Sequence, residues 1–286
     1  MSENLPWYNA NFLCATSELK DSKIALLGAP YDSTTSFRPG TRYGPPAVRT
    51  ASYGLESFSP ELDRDLEDIS FCDLGDLELP FGRPERAFDV LRAGVKHILD
   101  HNLMPLVIGG EHSLTLPCVE AVHQKYPELH LLVFDAHCDL RDEYLEEPFS
   151  HASVMRRCCE LLGTERLRQF GIRSGTKEEF AFAREHKLQL PFTKVAFAET
   201  LKRIGEAPIY LSIDLDVHDP ASFPGTGTPE PGGVSFRDTF ELMKLLKGKN
   251  VVATDVMELS PHYDTTGCSA VLAAKVIREL MLILSF

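Results

Sequence analysis

An α/β fold built on a mainly parallel sheet is what this 286-residue sequence predicts. Short, nearly continuous apolar runs recur along the chain, and stretches of helical period separate them. No linker rich in Pro, Gly or Ser divides the sequence. Strands that are apolar throughout must be covered on both faces, as in a parallel sheet lying between layers of helices.

In chain order the runs are KIALLG from Lys23, ISFCDLGD from Ile69, MPLVIGG from Met104, HLLVFDAH from His130, RLRQFGIR from Arg166, LQLPF from Leu188, PIYLSIDLD from Pro208 and NVVATDVMEL from Asn250. Helical patterns occupy residues 85–100, 115–126, 151–163, 176–187, 235–247 and 266–284. The last is interrupted by Lys275, Arg278 and Glu279 and reads as an amphipathic C-terminal helix. Eight such units fit a doubly wound open sheet or a (β/α)8 barrel, and period alone does not separate them. Both place chemistry at the carboxyl ends of strands. No fixed-period repeat is present, so the expectation is one domain over residues 1–286, with residues 1–22 as an N-terminal extension.

The 43% hydrophobic content is ample for a core. The 42 acidic against 29 basic residues give a net charge of −13 without any Lys/Arg run, which disfavours a nucleic-acid or anionic-membrane partner and suits a cationic small molecule. Seven cysteines, an odd number with no Cys-x-x-Cys pair, suggest neither a zinc knuckle nor a disulfide framework. A reduced cytoplasmic setting fits them. The N-terminus lacks a basic start followed by an apolar stretch, and no 18-residue apolar segment occurs, so neither a leader nor a membrane span is expected.

The strand ends carry the chemistry. The run LLVF turns abruptly into Asp135-Ala136-His137-Cys138-Asp139, and YLSI leads into Asp214-Leu215-Asp216. MPLVI ends in Gly109-Gly110-Glu111-His112, where glycines permit close approach before a histidine. Charges this dense at buried strand ends need cations to match them. Extended alternation would put Asp135, His137 and Asp139 on one side. Two imidazoles with four carboxylates are too many ligands for one ordinary ion and suit two, and oxygen-rich ligation with some imidazole favours Mn2+. Two such ions ~3.5–4 Å apart can share a water and lower its pKa, which makes hydrolysis the leading reaction class.

Together GGEHS at 109–113, DAHCD at 135–139, SIDLDVHDPASFPGTGTPEPGG at 212–233, DVMELSPHYD at 255–264 and SFRPGTRYGPPAVR at 36–49 resemble the ureohydrolase (arginase/agmatinase) family, and the whole chain is most similar to bacterial agmatinases. The resemblance implies a single-domain, doubly wound open sheet of about eight parallel strands with helices on both faces. It implies two Mn2+ per subunit: His112, Asp135 and Asp139 around one, Asp135, His137 and Asp216 around the other, with Asp214 reaching both. A bridging hydroxide would attack the guanidinium carbon, and Asp139 would also take its proton. His151 would act as acid–base group or proton shuttle, and Glu258 would clamp the guanidinium. Arg173, Asp255 and His218 read as loop supports, and Cys138 as a small residue pointing away from the metals.

The interval after Asp139, LRDEYLEEPFSH, contains Asp142, Glu143, Glu146 and Glu147 and no Asn. Acid there would repel a substrate carboxylate and favour an ammonium tail, hence agmatine giving putrescine and urea, a step of polyamine biosynthesis. Arg141 is the feature favouring a carboxylate tail, as in 4-guanidinobutyrate or arginine. An inactive member with a regulatory or assembly role is disfavoured by the full ligand set with His151 and Glu258. A deacetylase-type site with one Zn2+ is disfavoured by His112 and the second carboxylate of the Asp214/Asp216 pair. Family analogy implies a homo-oligomer, a trimer or hexamer.

Overall fold

Each of the eight apolar runs becomes a strand: β1 (Ile24–Ala29), β4 (Phe71–Asp76), β5 (Met104–Gly109), β6 (His130–Phe134), β7 (Leu167–Phe170), β8 (Gln189–Leu190), β9 (Ile209–Asp214) and β10 (Val251–Met257). A two-residue antiparallel pair, β2 (Phe58–Ser59) and β3 (Arg64–Asp65), lies outside the main sheet. The structure is a computed structural model and describes residues 10–15 and 18–285. Every pairing in the main sheet is parallel, in the order β4-β1-β5-β10-β9-β6-β7-β8. With β4 and β8 left as edges the sheet is open, so the barrel is excluded.

The helices are α1 (Gly44–Ser52), α2 (Pro84–Asp100), α3 (Thr115–Lys125), α4 (Val154–Leu162), α5 (Lys177–His186), α6 (Lys194–Ile204), α7 (Phe236–Met243) and α8 (Cys268–Leu284). One face of the sheet packs on α2 to α5 and the other on α1 and α6 to α8. Alternation sorts each strand between the layers: Ala25 and Leu27 face the first, Ile24 and Leu26 the second. Two helices, α1 and α6, go beyond the sequence expectation. Among the described residues no helix is long and apolar enough to cross a membrane.

Register positions the site. Ile108, Val256, Ile213 and Phe134 stand in one row across β5, β10, β9 and β6. The residues that follow them therefore emerge side by side at the carboxyl edge, in the centre of the sheet. The chain crosses from β5 to β6 and fills the gap later with β9 and β10, creating the kind of crevice in which open α/β sheets bind ligands.

One buried ion cluster ties the early part of the chain to this sheet. Arg49 on α1 donates from Nε and Nη2 to Asp73 (2.7 and 2.8 Å) and from Nη1 to Asp76. Asp73 also accepts from the Phe12 amide (2.8 Å). Of the extension expected over residues 1–22, residues 1–9, 16 and 17 lie outside the described residues, whereas Phe12 is buried. Removing one partner of such a pair leaves a charge in the core, so Arg49→Met should lower unfolding stability by about 3–5 kcal/mol. Urea titration would read this, and a change under about 1 kcal/mol would show that the cluster contributes little.

Candidate active site

The two glycines that end β5 are there for space. A Cβ on Gly110 would lie 1.8 Å from the Tyr31 carbonyl oxygen, and one on Gly109 would lie 1.7 Å from Met257 Sδ. Neither residue has a positive φ, so close packing is the constraint here. The bare backbone lets β5 run against its neighbours and deliver Glu111 and His112 directly over the sheet edge.

His112 is fully buried, and its two ring nitrogens face different partners. Nε2 lies 3.0 Å from Ser212 Oγ, and that hydroxyl gives its one proton to Asp255 Oδ1 at 2.7 Å. Ser212 can therefore only accept from His112, which fixes the proton on Nε2. Asp255 also accepts from Tyr210 (2.7 Å) and Thr115 (2.9 Å). It lies inside β10 beneath His112, so the expectation that it supports a loop is corrected: it anchors the imidazole.

Nδ1 then faces carboxylates alone. Asp135 Oδ2, Asp139 Oδ2 and Asp214 Oδ2 each lie 3.2 Å from it. Burial alone would lower the ring's pKa, but Asp135, Asp139 and Asp214 raise it well above the ordinary value. A second cluster adjoins. His137 Nδ1 lies 2.8 Å from Asp216 Oδ2 and 3.7 Å from Asp135 Oδ1. Burial opposes the charged ring, yet Asp216 and Asp135 bring its pKa up to about 10. Burial, reinforced by Asp139, pushes the Asp135 carboxyl up to about 7. These shifts have one origin, a cluster of buried carboxylates short of positive charge.

His112, Asp135 and Asp139 form one group able to hold a metal ion, and Asp135, His137 and Asp216 form another. Asp135 is common to both. Among the described residues its buried Oδ2 accepts no hydrogen bond of good geometry, though His112 Nδ1 stands 3.2 Å away, while Oδ1 accepts from the His137 amide at 2.6 Å. Ligands at about 2.0–2.1 Å from one octahedral ion stand roughly 3 Å apart, close to most of the spacings here, so the donor set fits two cations. Asp214 puts Oδ2 toward the first group, while its Oδ1 accepts from the Asp216 amide at 2.9 Å.

Convergence of the DAHCD segment does not come from strand alternation. β6 ends at Phe134, and Asp139 turns back with φ 51° in the region that favours glycine. Glu258, next after β10 ends at Met257, has φ 67°, and its Oε1 accepts from the His112 amide at 2.7 Å. Burial pushes its carboxyl well up, and Asp216 and Glu111 add to this against the bond from His112. Two non-glycine residues in that region at one edge of the sheet mark backbone shaped for a site.

A cavity of about 200 Å3 opens over these residues, lined by His137, Asp139, His151, Asp214, Asp216 and Glu258. His151 is buried at the entry to α4, and among the described residues its Nε2 has no hydrogen-bond partner. Arg141 and Glu179 also line the cavity, 3.5 Å apart. The acids after Asp139 behave otherwise. Glu143 and Glu146 are exposed, and Asp142 points to solvent and pairs with Arg157. Glu147 borders a neighbouring cavity that meets the first at Ser36. Beyond the ligand cluster and Glu258, the acid in the wall is Glu179, which the sequence did not single out.

Arg173 does support loops, donating to the carbonyls of Gly171, Asp216, Val217, His218 and Glu230. Cys138 Sγ accepts from Gln189 at 3.2 Å and would meet any Cβ placed on Gly175. His218 is buried beside Phe223, and burial, with Arg173 adding to it, takes its pKa down to about 4.

The family model of the arginase family matches residues 22–283. The chain belongs to the arginase family. Within it, the chain is 41% identical over 275 residues to an agmatinase of Bacillus cereus, covering 95% of each. A crystal structure of a candidate agmatinase from Clostridium difficile matches with TM-score 0.90 and 46% identity, over 94% of this chain and 99% of that one. The crystal structure of an agmatine ureohydrolase from Thermoplasma volcanium matches with TM-score 0.87 and 31% identity, over 96% and 94%. Arginase-family membership thus agrees with the resemblance read from the five sequence motifs, and the chain is a hydrolase of that family.

Proposed function

We propose that this chain is an agmatinase that hydrolyses agmatine to putrescine and urea with two Mn2+ per subunit. The observation that carries the metal centre is the pair of ligand groups sharing Asp135, whose buried Oδ2 accepts no hydrogen bond of good geometry among the described residues. His112, Asp135 and Asp139 would hold one ion, His137, Asp135 and Asp216 the other, and Asp214 would serve both. When bound, such a pair supplies a water of lowered pKa as the nucleophile.

The chain's own residues do the rest. Glu258 presents a carboxylate at the cavity wall to the planar donor fork of a guanidinium, a charged and directional match. Its bond from the His112 amide fixes the carboxylate relative to the ligand cluster, so the guanidinium carbon is held over that cluster. Asp139 would take a proton from the nucleophile. His151, whose Nε2 has no hydrogen-bond partner among the described residues, would hand one to the departing amine, which leaves poorly as an anion.

The tail assignment rests on the relatives more than on the loop acids, since most of those acids lie in solvent. Glu179 brings negative charge toward an ammonium tail although its Oε1 and Oε2 already accept from the Leu140 and Thr176 amides at 2.9 and 2.8 Å, while Arg141 beside it favours a second reading, 4-guanidinobutyrate. Urea release measured separately with agmatine, arginine and 4-guanidinobutyrate decides between them. We expect agmatine to have the highest kcat/KM. A preference for either carboxylate substrate would reverse the tail assignment, and no urea from any of them would remove the ureohydrolase reading. The cytoplasm, polyamine biosynthesis and a trimeric or hexameric assembly are carried over from the family as parts of the same proposal.

A further inference from the structure

Among the described residues the buried Nε2 of His151 has no hydrogen-bond partner, whereas the His151 amide is held by a side chain. That bond crosses 117 positions of sequence, from the His151 amide to Thr34 Oγ1 at 3.0 Å. Ser150 precedes the helical entry and makes no capping bond of its own, its hydroxyl lying 3.2 Å from Ser153 Oγ. An amide at a helix start needs an acceptor, and here a distant loop provides it.

Thr34 is itself held. It donates from its amide to Glu111 Oε2 at 2.8 Å and from Oγ1 to Glu111 Oε1 at 2.5 Å. The hydroxyl has one proton, given to Glu111, so its lone pair is left to accept from His151. Glu111 is fully buried and also accepts from Ser113 Oγ at 2.5 Å. It directly precedes His112. Asp32 closes the same loop by accepting from the Gly40 amide at 2.8 Å and Arg42 Nε at 2.5 Å. The loop is thus a braced segment that fixes the start of α4 relative to the ligand-bearing end of β5.

We propose that Thr34, held by Glu111, is the positioning residue for His151, setting where the imidazole stands over the ligand cluster. This rests on reading His151 as the acid–base group. Thr34 touches no reacting atom and acts only through the backbone it holds. The loop also carries Ser36 into the cavity wall.

The test uses the metal-loaded enzyme with agmatine and compares Thr34→Val, Thr34→Ser, His151→Asn and the Thr34→Val/His151→Asn double variant. Thr34 is a half-buried loop residue, so the isosteric valine should fold. Misplacement of a catalytic group on this scale lowers kcat roughly 10- to 100-fold. We expect that loss in Thr34→Val, with the metal count unchanged, the hydrogen-exchange protection of the His151 amide lost, and both kcat and protection retained in Thr34→Ser. In the His151→Asn background the valine should cost nothing further. Wild-type kcat or intact amide protection in Thr34→Val, or losses that multiply in the double variant, would overturn the positioning role. Full activity in His151→Asn would instead overturn the reading of His151, and that outcome is visible in a single variant without reference to Thr34.

Discussion

Asp135→Asn is expected to abolish metal binding and urea release while leaving the fold intact. Asp135 belongs to both ligand groups, so its loss weakens two sites at once. Asparagine keeps an oxygen able to accept from the His137 amide, now made by Oδ1 at 2.6 Å. At Oδ2 it places an amide that cannot be a carboxylate ligand. Because an activated water depends on the cations, kcat should fall by ~1,000-fold or more. The metal-free protein should melt no lower than metal-free wild type, because a neutral isostere relieves crowding among buried carboxylates. Elemental analysis and thermal melting check the two halves separately. Two ions per chain in the variant would refute the shared-ligand assignment. Loss of fold would show that Asp135 has a structural role its hydrogen bonds do not reveal.

The strands were readable because a sheet covered on both faces requires apolar residues at nearly every position, and all eight runs became strands. The missed helices lack that redundancy. Only Phe197, Thr200 and Leu201 of α6 are buried, too few for a clear stripe, and Val195 faces solvent. In α1 the opening Gly44-Pro45-Pro46 resembles a turn, although proline is at home in a helix's first turn. Strand order was not legible. Placing β10 between β5 and β9 depends on pairing between segments far apart in sequence, and no local pattern encodes that.

At the site, the ligands could be read because charge at the end of an apolar strand is anomalous enough to need a cause. Their supports could not. Ser212, Tyr210 and Thr115 are ordinary residues of a strand or helix until Asp255 is seen to accept from all three. Glu111 likewise passed as part of a motif, with nothing local to connect it to Thr34. The acidic interval erred in the opposite direction. Asp142 and its neighbours have the right charge, but whether a loop acid faces a cavity or water depends on how the loop folds, and Asp142 is 81% exposed.

Glu258→Gln tests the part of the site that distinguishes a guanidinium from other electrophiles. Glu258 stands outside both ligand groups, so the variant should keep its full metal content. The glutamine carbonyl can still accept from the His112 amide, now bonded at 2.7 Å to Oε1, so the local turn should survive. What disappears is the negative charge that a guanidinium bound against Glu258 would hold there, offsetting the burial that otherwise pushes this carboxyl up toward its neutral form. Truncating one partner of a desolvated charge pair costs about 2–5 kcal/mol, or roughly 30- to 5,000-fold in kcat/KM. A Cβ on Gly227 would press on the Arg38 carbonyl at 3.0 Å while standing in ordinary contact, 3.7 Å, with Glu258 Oε2, so the glycine is required by the neighbouring backbone rather than by the carboxylate. If Glu258→Gln loses metal along with activity, Glu258 belongs to the metal centre rather than to substrate recognition. If metal content and kcat/KM are both unchanged, the guanidinium is held elsewhere in the cavity, and Glu179 becomes the acid to test next.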